Sequence, residues 1–182
     1  QMLKKLWDIS TGFPDILIPV YGGADIGHAI IQSNNIHVIC FTGSTSVGRK
    51  IAEACAPLFK PVILELGGKD PMIILEDADI ERTIEAAIWG GLSNSGQSCL
   101  SVERIYIQEK IYPRIVKLLS EKIRNISSGQ GDAILGAIST NENQKKIIQH
   151  IENAKETSEI VSGKADMGLF IPPTLIINPP ST

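Results

Sequence analysis

The chain has 182 residues, 43% of them hydrophobic and 20% charged, with a formal net charge of −3 at pH 7. That length and apolar content suit one large or two small packed domains and argue against a disordered chain. The mildly acidic balance offers no basic footprint for nucleic acid, and no apolar run approaches the roughly 20 residues of a membrane-spanning helix, so neither partner is expected.

Strands and helices alternate. Gln1-Met2-Leu3-Lys4-Lys5-Leu6-Trp7 already reads as helix interior, with Leu3, Leu6 and Trp7 on one face, and Gly12 supplies a stop. Ile16-Leu17-Ile18-Pro19-Val20-Tyr21 reads as a strand with Pro19 at its margin. Gly22-Gly23 turns the chain into a helix around Asp25 to Gln32. His37 to Phe41 is a β-branched and aromatic strand, followed by a Gly-Ser-Thr loop, a helix from about Ser46 to Ala56, and a third strand over Pro61 to Leu66. This order implies parallel pairing with crossovers.

Gly67-Gly68 reads as a boundary between domains spanning 1–67 and 68–182. Beyond it, Met72 to Leu75 is a strand, and Asp79 is placed to cap a helix whose apolar face carries Ile80, Ile84, Ile88 and Leu92. Arg104 to Ile107 returns as a strand. Ile111, Ile115, Leu118, Leu119 and Ile123 form a helical stripe. Ser139 and Glu142 are spaced as a capping box for a helix with Ile147, Ile148 and Ile151 inward. Glu159 to Val161 and Thr174 to Ile177 close the chain as strands. The expected fold class is α/β: parallel sheets with flanking helices, a Rossmann-like part followed by part of a second α/β domain.

The ends read as those of an internal piece of a longer polypeptide. Lys4 and Lys5 are followed by Asp8 with no apolar stretch between, unlike a signal peptide. Three cysteines cannot form a complete disulfide set, which points to free thiols in a reducing compartment, most simply the cytoplasm.

Phe41-Thr42-Gly43-Ser44-Thr45-Ser46-Val47-Gly48 joins a strand to a helix, where backbone N–H groups and the helix dipole favour an anion. An ordinary connection capped by Ser and Thr accounts for the same residues. Gly43 and Gly48 have Walker A spacing, but Arg49-Lys50 follows where that loop needs Lys then Ser or Thr. Gly22-Gly23-Ala24-Asp25 reads as a plain turn. Cys40, inside an apolar strand, and Cys55, between two alanines, read as packing residues. Cys99 differs, because it follows the small polar stretch Asn94-Ser95-Gly96-Gln97-Ser98. Glu65 interrupts an apolar run; it either turns to water or faces a cleft as a general base. His28, His37 and His150 have no ligand-like spacing, so no metal is expected.

Leu64-Glu65-Leu66-Gly67-Gly68-Lys69 followed by Gly96-Gln97-Ser98-Cys99 resembles the paired active-site signature of the aldehyde dehydrogenase superfamily. Phe41 to Thr45 with Val47-Gly48 is similar to its cofactor loop. Arg104 matches the arginine of the signature, and Phe170-Ile171-Pro172-Pro173-Thr174 its later Phe-x-x-Pro-Thr segment. The resemblance implies that Cys99 adds to an aldehyde carbonyl, that hydride passes to NAD or NADP, and that Glu65 activates the water that hydrolyses the thioester. It implies that Gly43 and Ser44 face the cofactor pyrophosphate, that Leu66 and Gly67 lie near the nicotinamide, and that the parent is a homo-oligomer acting on a small-molecule aldehyde.

The resemblance also implies missing parts. The oxyanion-hole asparagine and the ribose-reading residues would precede Gln1, and a Glu-x-Phe-Gly-Pro segment would follow Thr182. The chain alone is therefore expected to be inactive or nearly so. Two other readings remain at this stage: a cysteine acyltransferase or hydrolase without nicotinamide, and a non-catalytic fragment or pseudoenzyme.

Overall fold

The computed structural model describes residues 2–14 and 16–180; Gln1, where the first helix was expected to begin, lies outside them. The chain divides into two compact units, Gln1–Leu66 and Gly67–Thr182.

In the first unit, α1 (Met2–Thr11) ends where Gly12 takes a φ of +70° and donates its N–H to the Asp8 carbonyl at 3.2 Å. Glycine adopts this left-handed cap without steric cost. Then come α2 (Ala24–Gln32), β1 (Ile39–Gly43), α3 (Thr45–Cys55), a 3-10 turn over Ala56–Leu58, and β2 (Val62–Leu66). β1 and β2 pair in parallel, from Ile39 opposite Val62 to Gly43 opposite Leu66. Parallel neighbours need a long crossover, and α3 provides it. Ile31, Ile39 and Cys55 are buried together, with Ile51 and Val62 against them. The Lys60 ammonium donates to the carbonyls of Ile31 and Ser33, the latter at 2.6 Å. A cation there meets the carbonyls left open at the end of α2 and the negative end of its dipole.

The second unit repeats the plan with β3 (Asp70–Ile74), α4 (Ile80–Leu92) and β4 (Val102–Ile107), β3 and β4 again parallel. The Asp79 carboxylate caps α4 by accepting the Arg82 N–H at 3.1 Å. There follow α5 (Tyr112–Arg124), β5 (Ser127–Ser128), α6 (Asn141–Lys155), β6 (Glu159–Ser162), β7 (Lys164–Ala165) and β8 (Thr174–Ile177). Ile74 and Ile115 are the largest fully buried side chains and meet Ile84, Ala87 and Leu119 in the main core. Burying one such side chain is worth about 1.5–3 kcal/mol. Ile123, Val161 and Ile177 form a second cluster under β6 and β8. Among the described residues no helix is long and apolar enough to cross a membrane.

The α/β class with parallel strands holds, and five local expectations do not. The run from Ile16 to Tyr21 forms no strand; its side chains are exposed, and among the described residues of its unit the only sheet is the β1–β2 pair. An apolar run becomes a strand only where a neighbour completes its ladder. The cap of α6 is Thr140, whose hydroxyl accepts the Asn143 N–H at 3.1 Å. Ser139 lies one position before the cap; its hydroxyl accepts from the Asn143 side-chain amide at 3.3 Å, and its N–H donates to Gln97. Ile148 is exposed, while Ile147 and Ile151 are half-buried. Cys40 is exposed, because its neighbour Ile39 takes the inward position and alternate strand residues face opposite ways. β6 and β8 are antiparallel, which their helix-free connection over 163–173 permits.

Gly163 admits no side chain. A Cβ there would lie 2.6 Å from the Ile123 carbonyl oxygen, and closer still to that of Ile126. Gly163→Ala should destabilise the second unit by about 1–3 kcal/mol or more through overpacking against rigid backbone. A denaturant midpoint equal to that of the unsubstituted chain would contradict this.

Candidate active site

Each unit carries half of the expected site. In the first, Gly43, Ser44, Glu65 and Leu66 all lie at the carboxyl ends of β1 and β2. Thr42 is opposite Glu65 and Gly43 opposite Leu66 in the parallel register. In open α/β sheets this end is where ligands bind. Ser44 is the N-cap of α3; its hydroxyl accepts the Val47 N–H at 3.3 Å and meets the Ser46 hydroxyl at 3.1 Å. The Gly48 N–H returns to the Ser44 carbonyl at 2.9 Å. By helix geometry the N–H groups of Thr45 and Ser46 have no acceptor within α3. No acidic residue lies in that first turn. The loop therefore fits an anion such as a pyrophosphate.

Two glycines shape this end. A Cβ at Gly43 would lie 2.5 Å from the tip of the Phe41 ring, so a side chain there would displace that ring; its φ is not positive. A Cβ at Gly48 would lie 2.6 Å from a Leu66 methyl. Gly48 thus lets α3 settle onto β2 and holds Leu66 beneath the loop. The Glu65 carboxylate is exposed, and among the described residues it has neither an ion pair nor a hydrogen bond.

In the second unit, Gly67 is exposed and a side chain there would meet open space. Cys99 is exposed in the segment between α4 and β4. The backbone before it is unusual. Asn94, Ser95 and Gly96 all take positive φ, at 53°, 58° and 73°. Such angles cost a non-glycine residue about 1–3 kcal/mol and persist only where surrounding contacts fix them. Here the contacts are explicit. The Ser95 hydroxyl donates to the Gly136 carbonyl at 3.0 Å. The Gln97 amide donates to the Ala137 carbonyl at 3.1 Å, and its oxygen accepts the Ser139 N–H at 2.7 Å. The Asn94 amide donates to the Gln97 carbonyl at 3.0 Å. After the cysteine, the N–H groups of Leu100 and Ser101 turn back to the Ser98 hydroxyl and carbonyl, at 3.2 Å each. Among the described residues the Cys99 N–H itself has no acceptor. A thiol beside an uncommitted N–H can hold an oxyanion that forms on its own adduct.

Two further contacts bind the entry strand to this segment. Arg104 donates from Nε and Nη2 to the Lys69 carbonyl at 3.1 and 2.8 Å. A Cβ at Gly68 would lie 3.3 Å from the Cys99 carbonyl oxygen, so glycine keeps the two backbones in close approach. Gln97 was not singled out as a positioning residue from the sequence. Its partners lie 40 and 42 positions away, so no local signal identifies them. No group of three or more metal-ligating side chains occurs among the described residues.

Comparison with known proteins places these motifs in context. A match to the aldehyde dehydrogenase family covers residues 2–182. The chain is 39% identical over 178 residues to aldehyde dehydrogenase 1 of Tanacetum cinerariifolium, covering 92% of this chain and 36% of that protein. It is 31% identical over 182 residues to a succinate-semialdehyde dehydrogenase [NADP(+)] of Escherichia coli, covering 95% of this chain and 38% of that one. The crystal structure of betaine aldehyde dehydrogenase from Staphylococcus aureus in complex with NAD+ superposes with a TM-score of 0.81 at 32% identity, over 87% of this chain and 34% of that one. The chain thus spans little more than a third of the length of these relatives.

Gln97→Ala should remove two long-range hydrogen bonds at a cost of about 1–2 kcal/mol. Amide hydrogen exchange should accelerate in 94–99 and 136–139 ahead of the rest of the unit. Unchanged exchange in both segments would show that Gln97 is not the clamp.

Proposed function

The chain belongs to the aldehyde dehydrogenase family, and on that premise we propose that the protein of which it forms part oxidises a small aldehyde to the carboxylic acid with NAD or NADP, using Cys99 as nucleophile and Glu65 as general base. The observation that carries this reading is the exposed Cys99 thiol on a doubly anchored backbone whose own N–H is uncommitted. The Cys99 thiolate adds to the carbonyl carbon, and the oxygen that becomes negative is met by the Cys99 N–H. Hydride loss from the thiohemiacetal leaves a thioester on Sγ. Glu65 takes a proton from the water that attacks the thioester, releasing the acid and restoring the thiolate. The nicotinamide cofactor, when bound, supplies the hydride acceptor.

The α3 N-terminus with Ser44 is assigned to the pyrophosphate, and Gly43 to the turn that admits it. Leu66, braced by Gly48, and Gly67 are assigned to the nicotinamide side. The units are read as parts of the cofactor-binding and thiol-bearing domains, 1–67 and 68–182. Two of these relatives carry different cofactors in their printed names, NADP(+) in one and NAD+ in the other, so the reading takes either. Turnover is assigned to a polypeptide of the relatives' length and not to the 182-residue chain. We further place the protein in the cytoplasm as a homo-oligomer, the first on its three free thiols.

Alkylation of the chain by iodoacetamide at neutral pH tests the nucleophile. Cys40 and Cys99 are both exposed and Cys55 is buried, so a rate difference between the first two reports reactivity rather than access. Cys99 should react about tenfold faster than Cys40, because its fixed loop and uncommitted N–H present Sγ for attack and meet the charge that forms. Equal rates at both would favour a non-catalytic fragment. Binding of NADH that is lost in Ser44→Trp would separate this reading from a cysteine acyltransferase. Binding unaffected by that substitution would remove Ser44 from the cofactor site.

A further inference from the structure

The β3–β4 ladder breaks register at one step, just beyond Cys99. Asp70 stands opposite Val102, and Pro71, the next residue, stands opposite Arg104. Glu103 is therefore an extra residue without a counterpart, a β-bulge in β4. Pro71 has no N–H to offer the ladder at that step. The bulge reverses the facing of the strand. Val102 is turned toward α4, where a Cβ on Gly90 would lie 2.9 Å from one of its methyls. Regular alternation would bring Arg104 inward next. Instead Arg104 and Tyr106 are exposed, and Ile105 and Ile107 pack against the main core.

Glu103 and Arg104 both close on Lys69. The Glu103 carboxylate pairs with the Lys69 ammonium, and Arg104 forks its Nε and Nη2 hydrogens onto the Lys69 carbonyl at 3.1 and 2.8 Å. The third guanidinium nitrogen, Nη1, donates to the Tyr106 hydroxyl at 3.4 Å, and the group lies 6.0 Å from that ring's centroid. The Glu103–Lys69 pair is open to water and adds little, whereas hydrogen bonds from a charged donor are the stronger kind. Lys69 follows Gly68, where a Cβ would lie 3.3 Å from the Cys99 carbonyl oxygen. The covalent route from Arg104 back to Cys99 has no slack either. Val102 is seated on α4, and Ser101 is buried with its N–H held by the Ser98 carbonyl. The Cys99 backbone is thus restrained along two routes, and Arg104 stands at the end of both.

We propose that Arg104 is a positioning residue for the thiol. By gripping Lys69 across the bulge it keeps the Gly68 backbone against Cys99 and fixes the peptide plane that follows the cysteine. That plane sets how Sγ and the Cys99 N–H are presented together to a carbonyl group. This role rests on the reading of Cys99 as nucleophile. Arg104 acts through Lys69 and Gly68, since all three of its guanidinium nitrogens have partners within the chain. A lysine would keep the charge but could not fork onto one carbonyl and reach Tyr106 as well, so geometry and charge are separable.

The test compares the 182-residue chain with Arg104→Lys and Arg104→Ala. Acylation of Cys99 by an activated aryl ester passes through an oxyanion, and alkylation by iodoacetamide does not; exposed Cys40 is the internal reference for both. Each variant should lower the Cys99-to-Cys40 acylation ratio about tenfold, as misplaced reacting groups do, and the alkylation ratio less. Amide exchange at Leu100 and Ser101 should quicken about tenfold, while that of Gln108, bonded to the Ile74 carbonyl at the far end of the ladder, stays as it was. Full reactivity in Arg104→Lys assigns the effect to charge and overturns the proposal. Equal losses in the two reactions, or faster exchange at Gln108 as well, mark a merely structural residue and also overturn it. If Cys99 of the unsubstituted chain reacts no faster than Cys40, the nucleophile reading fails instead. Exchange at Leu100 and Ser101 then decides alone, quickening in favour of Arg104 as the holder of this backbone and constancy against it.

Discussion

The side chain of Gln97 is the contact on which the thiol-bearing unit depends. It binds a carbonyl and an N–H of the 136–139 segment, and so joins a short loop to chain forty positions away. Three successive left-handed residues precede it, two of them not glycine. Local preference opposes that conformation, so long-range hydrogen bonds must hold it. The result is a cysteine that is exposed to solvent yet carried on an overdetermined backbone. Arg104 and Gly68 extend the same restraint to the strand entering the unit, one by gripping the Lys69 carbonyl and the other by permitting close approach to Cys99.

The first unit solves a different problem. An anion-binding loop needs N–H groups with no competing acceptor and a backbone that can be approached. Ser44 caps α3 through Val47 and Gly48, which leaves the first turn available. The glycines nearby serve packing: Gly43 yields space to Phe41, and Gly48 yields space to Leu66. Of the two, Gly48 is the one that bears on α3, since it lets the helix approach Leu66 of β2. Lys60 anchors α2 to the same unit through carbonyls at its end.

Much of this was legible from the residues. The β-branched runs at His37 to Phe41 and Pro61 to Leu66 and the helical stripe from Ile111 to Ile123 became β1, β2 and α5, because burial enforces the periodicity that the sequence shows. Asp79 caps α4 as its spacing implies. The failures have different causes. Ile16 to Tyr21 is apolar but finds no strand partner, and Cys40 is apolar by neighbourhood but faces outward because the adjacent Ile39 takes the inward position. Ser139 has the composition of a cap, but its N–H is held by Gln97, 42 positions away, and local pattern carries no record of that partner.

The sequence by itself determined the family and most of the order of strands and helices, missing the short β5 and β7 and adding a strand over Ile16 to Tyr21 that does not form. Those depend on side-chain identity and short-range spacing, which a linear chain displays directly. Tertiary structure alone decided that Ser44, Glu65 and Leu66 share the ends of two paired strands, that Gln97 clamps the loop before Cys99, and that a bulge in β4 turns Arg104 onto the Lys69 carbonyl. These are facts of register and long-range hydrogen bonding, fixed only when distant segments meet and satisfy each other's backbone groups.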